Sequence, residues 1–96
     1  SEHAKQNVRI VTASESLLLT DDVVAVGGRS GTVTLTMPAN APVGWEVKVI
    51  EVGNSSSVIN LAAPGGEAIQ GSASISSANT KRFVTKITAD LWAAYA

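Results

Sequence analysis

The chain holds one histidine, His3, and no cysteine, which rules out a thiol nucleophile and leaves one imidazole for any Ser-His-Asp site. His3 lies in a polar stretch ahead of the first apolar run, where no scaffold keeps its ring within hydrogen-bond reach of a serine. It is equally isolated as a metal ligand. Asp21-Asp22 is the only adjacent acidic pair. Successive strand residues point to opposite faces, so these carboxylates converge only inside a turn, and glycoside chemistry needs two carboxyls about 5–9 Å apart across a cleft. The pair reads as a turn.

Gly27-Gly28-Arg29-Ser30-Gly31 invites comparison with phosphate-binding loops. Such a loop carries a lysine and opens a helix whose N-terminus faces the phosphate, whereas this one lacks lysine and feeds Thr32-Val33-Thr34-Leu35. A hairpin loop is expected. Pro64-Gly65-Gly66-Glu67 is likewise a turn, with glycine free to take positive φ. Asn54-Ser55-Ser56 fits the glycosylation sequon, a pattern that matters only on a secretory route, and Ser1-Glu2-His3-Ala4-Lys5 lacks a signal peptide's basic-then-apolar pattern. Trp45, Trp92 and Tyr95 have the ring faces a sugar site uses, but their neighbours Val47 and Leu91 favour core packing. Lys81-Arg82 reads as a solvated loop end. The expectation is no catalytic residue, no cofactor and no metal.

Seven Lys+Arg balance eight Asp+Glu, for a formal charge of -1, so nothing marks a nucleic-acid or anionic-membrane partner. Apolar runs are short, far below the roughly 18 residues that span a bilayer as a helix. Twelve valines, six isoleucines and eight threonines favour a pleated surface, and no stretch sustains a helical apolar stripe over three turns. The class is all-β, and 96 residues suit one domain. The pattern predicts a polar arm over residues 1–7 and a single β domain over residues 8–96. Strands are expected at residues 8–11, 17–19, 23–26, 32–37, 45–52, 58–61, 82–88 and 91–96. No internal repeat is visible.

Residues 17–19, 23–26 and 91–96 are apolar at successive positions, so both faces of those strands call for burial. An antiparallel sandwich of this size normally wets one face of each sheet. Inner strands of a tight barrel would satisfy the pattern; a second copy of the chain does so more simply. Leu17, Leu18, Leu19, Val24, Val26, Leu91, Trp92 and Tyr95 are therefore the expected self-association residues.

The order of motifs has a further meaning. Val33-Thr34-Leu35-Thr36-Met37-Pro38 precedes a strand from Gly44-Trp45 to Val52, then a Gly-Asn-Ser-Ser turn and Val58-Ile59-Asn60-Leu61. Pro64-Gly65-Gly66-Glu67-Ala68-Ile69-Gln70-Gly71, a serine-rich stretch and a closing Asp90-Leu91-Trp92 follow. Over residues 17–96 this resembles the small β-domains of tailed-phage structural proteins, found as trimeric head decorations, head fibres and tail-fibre modules. Those domains read "V-T-L-x-L-P", "G-x-x-(I/V)-x-(I/V)-K-(D/E)", "I-x-I-x-P-x-G-G-(D/E)-x-I-x-G" and "D-G-x-x-W". The closing motif here lacks its glycine, and Val52-Gly53 stands where many such domains have a longer polar turn.

The resemblance implies a non-enzymatic virion protein, made in the host cytoplasm and assembled as a homotrimer. The expected fold is thus a small antiparallel β-sandwich or barrel-like domain in a threefold assembly. One domain with no shaft repeat favours a capsid decoration (cement) protein on the capsid exterior. Its partners would be itself and the major capsid protein, with no nucleic acid and no membrane. The alternative is a fibre module that binds a host-surface glycan or receptor. His3, Lys5, Gln6, Asn7 and Arg9, in and beside the arm, are the expected capsid contacts.

Overall fold

The structure, a computed structural model, describes residues 5–28, 31–53 and 58–96. Among the described residues there are ten strands and no helix: β1 (Val8–Val11), β2 (Glu15–Ser16), β3 (Val23–Val26), β4 (Val33–Thr36), β5 (Glu46–Glu51), β6 (Ile59–Ala62), β7 (Ala68–Gly71), β8 (Ser74–Ile75), β9 (Lys81–Thr88) and β10 (Leu91–Tyr95). From β1 to β8 the chain alternates between two sheets. One is six-stranded, ordered β1-β3-β5-β9-β10-β7; the other is four-stranded, ordered β2-β4-β6-β8.

Each passage from one sheet to the other and back lays a coil on the preceding one. β1, β3 and β5 stack in parallel, as do β2, β4 and β6, which makes the arrangement β-solenoid-like. The C-terminal part departs from the coil. β9 and β10 form an antiparallel hairpin that enters the six-stranded sheet between β5 and β7. β9 runs antiparallel to β5, and β10 parallel to β7.

The all-β class holds, but the antiparallel sandwich does not: five of the eight strand pairings among the described residues are parallel. Parallel strands read as continuous apolar runs, and β3, Val-Val-Ala-Val, is buried at all four positions. Its outward residues Val23 and Ala25 are flanked in register by Val8 and Lys48, and by Ile10 and Ile50. β3 thus satisfies both faces without a second chain. The loop at residues 27–31 joins strands of different sheets and so is no hairpin; its residues 29–30 lie outside the described segments.

The strand expected at residues 17–19 is also absent. The ladder stops after β2, with a last bond from the Leu17 N–H to the Thr36 carbonyl at 2.8 Å. The chain then turns, because the Asp21 carboxylate takes the Leu18 N–H (2.8 Å) while the Asp21 N–H reaches the Leu18 carbonyl (2.9 Å). That local competition with the ladder is what short acidic side chains offer.

Between the sheets lies a core of Val24, Val26, Val47, Val49, Val84, Trp92 and Ala94 from one side and Val33, Leu35, Ile59, Leu61 and Ile75 from the other. Each large member contributes about 1.5–3 kcal/mol through burial.

Candidate interaction surface

The outward face of the six-stranded sheet carries two mixed rows of apolar and lysine side chains, open mainly at β1 and β10. One runs Val8, Val23, Lys48, Phe83, Tyr95; the other runs Ile10, Ala25, Ile50, Lys81. Strand alternation forces this, since Val24, Val26, Val49 and Val84 must face the core and their neighbours therefore face out. Val8 is 63% exposed, Ile10 73% and Tyr95 55%. The lysines temper the face without breaking it: the Lys48 ammonium lies 5.9 Å from the Phe83 ring centroid. Scattered apolar side chains mean little, but Val8 and Ile10 stand together on the open strand β1, and that pair is the candidate surface.

At the start of the coil, three charged side chains meet. Arg9 on β1 is in register with the inward Val24, and Glu15 on β2 with the inward Leu35, so both point between the sheets. The Arg9 guanidinium donates to Glu15 Oε1 at 2.6 Å and, through Nε and Nη2, to both oxygens of the buried Asp21 at 2.9 Å. This fork holds the Asp21 carboxyl below the usual carboxylate range against the opposing effect of burial, and raises the already high pKa of Arg9. Nearby, the Asn7 N–H donates to Asp22 (2.8 Å) and its amide to the Thr20 carbonyl (3.2 Å).

A second charge is buried beneath the hairpin. Alternation of β9 places Lys86 inward beside Val84, and in register with Trp92. Its ammonium is 3.3 Å from Glu67 Oε1, which also accepts the Trp92 indole N–H at 2.7 Å. The ammonium sits 5.6 Å from the Trp92 ring centroid, and Trp45 meets Trp92 edge-on at 5.8 Å. Glu67 thus serves both the Lys86 ammonium and the Trp92 indole, and ties the turn before β7 to the hairpin. A groove of about 410 Å³ follows the corners where the chain leaves β2, β4 and β6, between Leu19, Thr36, Pro38, Asn40 and Pro64.

These placements redistribute the expected residues. Leu17, Val24, Val26 and Trp92 are consumed by the protomer's own core, which leaves Leu18, Leu19, Leu91 and Tyr95 of the self-association set at or near the surface. Trp92 is core, as its neighbours suggested; Tyr95 is not. Of the capsid set, Lys5 and Gln6 are exposed, Asn7 is fastened to the fold, and Arg9, about a third exposed, is paired with Asp21 and Glu15. His3 and the sequon at residues 54–56 lie outside the described residues. Asp21, expected only as a turn residue, is the buried anchor of Arg9. The half-buried Ile50 and Phe83 complete the outward rows, and their parity opposite the core valines carries that signal in the sequence.

No family model matches the chain, and no curated protein matches it.

Proposed function

We propose that the chain is a non-enzymatic structural protein of a tailed-phage virion, a decoration protein that assembles as a homotrimer and reinforces the major capsid lattice. The observation that supports this reading is the pair of solvent-open apolar side chains on edge strand β1, Val8 and Ile10, on the outward face of the six-stranded sheet. The molecule is a slab 39 × 34 × 21 Å, so its broad side has room for the roughly 800 Å² that each partner of a stable complex buries. The resemblance of the strand and turn motifs supplies the virion context. Function would then be additive: many copies, each bound to assembled capsomers and not to free ones, shift the shell toward its assembled state by mass action.

Sedimentation and particle binding test the reading together. The wild-type protein is expected to sediment as a trimer and to decorate purified capsids, and Ile10→Asp, a change at an open surface position, to remain folded but monomeric. A folded wild-type monomer that leaves capsids bare overturns it. If the native virion carries this segment inside a much larger chain, the protein is a fibre module instead.

A further inference from the structure

We infer that the Arg9–Asp21–Glu15 cluster is an end cap that blocks a latent head-to-tail interface between copies of this chain. The six-stranded sheet has two outer strands, β1 and β7, and among the described residues each pairs on one side only. Tracing directions through the sheet, β3 and β5 run parallel to β1, β9 reverses, β10 reverses again, and β7 follows β10. The two open edges therefore run the same way. A simple translation along the stacking direction brings β7 of one copy against β1 of the next as one more parallel pair. Such a contact never closes on itself, and repeated it makes a filament.

Backbone groups are available for it. The Val23 N–H donates to the Asn7 carbonyl and the Gly27 N–H to the Val11 carbonyl. In a parallel ladder of this register, the peptide groups of Val8 and Ile10 then point away from β3 toward the open edge. What opposes stacking is the first coil's interior. Where later coils place Val24, Val49, Leu35 and Leu61, this one places Arg9 and Glu15. A stacked copy would take this pair, now about a third exposed, out of water and set Arg9 beside the inward Ile69 of the incoming strand. Burying charges without new partners is strongly unfavourable, and inward-pointing charge is a known means of protecting a sheet edge. The cluster closes the core by satisfying itself.

The test is an apolar cap. Arg9→Leu, Glu15→Leu and Asp21→Asn are combined, the asparagine oxygen remaining able to accept the Leu18 N–H. With wild-type circular dichroism, this variant is expected to show a weight-average mass that rises several-fold with concentration, while the wild type keeps its own oligomer size. Adding Ile10→Pro removes the outward N–H of β1 and should return the variant to a concentration-independent mass. Should the triple variant not fold, Arg9→Gln, Glu15→Gln and Asp21→Asn combined serves, because it keeps hydrogen-bonding groups in the cap while removing its charge; it is expected to grow with concentration too. A folded cap variant of unchanged size, or growth that Ile10→Pro leaves intact, overturns the inference. The readout is growth beyond the wild-type oligomer, so it stands apart from whether that oligomer is a trimer.

Discussion

Lys86 occupies a position where the alternation of β9 calls for an apolar side chain, and it is tolerated because Glu67 and the Trp92 ring surround its ammonium. Removing one member strands the other. Lys86→Met should cost about 3 kcal/mol, whereas Lys86→Met with Glu67→Gln should cost less than the sum of the two single changes. Urea denaturation of the four proteins checks this. The shared inward face of Val84 and Lys86 is legible in the sequence; the partner is not, because nothing in the pattern brings the Pro64–Glu67 turn to that strand. Asp21 gives a second test. Its carboxyl is held low mainly by the hydrogen bonds from Arg9. The stabilisation is therefore complete above the unfolded carboxylate value, about 3.9, and is lost as pH falls through the lower folded value. Wild-type urea midpoints should fall below about pH 4, and Asp21→Asn should flatten that acid limb while lowering neutral-pH stability by about 1–2 kcal/mol.

Among the elements, β7 depends on one glycine. Gly71 has φ +89°, and a Cβ there would run into the Ala94 carbonyl of β10. Gly71→Ala should cost at least about 2 kcal/mol, by strain and by loosening the β7–β10 pairing. Gly65→Ala, in the turn before it, meets nothing within 4 Å and carries no positive φ, so it should stay within about 0.5 kcal/mol of wild type. Thermal melts of the two variants decide. Strands with strict alternation, such as β4 and β9, were readable from the sequence. The coil was not, because its period is irregular: Val8 pairs with Val23, fifteen residues on, while Val23 pairs with Lys48, twenty-five residues on. Turns of unequal length erase the repeat that would announce a solenoid. β2 was hidden for another reason, since its two residues, Glu15 and Ser16, lie beside a leucine run that the Asp21 turn takes out of the ladder.

At the scale of the whole molecule, a near-neutral chain that presents an apolar face should associate with little help from salt-sensitive forces. Decoration of purified particles is expected to change less than about tenfold between dilute and concentrated salt, a range that would sharply weaken exposed ion pairs. A steep salt slope in a co-sedimentation assay would contradict it. The hairpin that enters between β5 and β7 also dictates an order of events as the chain folds. The early coils can be laid down one after another, each strand finding its neighbour already in place. β7 cannot, because the strand it pairs with, β10, follows it in the chain and reaches β5 only through β9. Closing long loops before their contacts form is slow, so refolding should show an early phase from residues 8–51 and a later one in which β7, β9 and β10 become protected together. Pulse-labelled hydrogen exchange would resolve the two. During that interval the edge of β5 is bare, and this is when the chain is most vulnerable to pairing with the wrong neighbour.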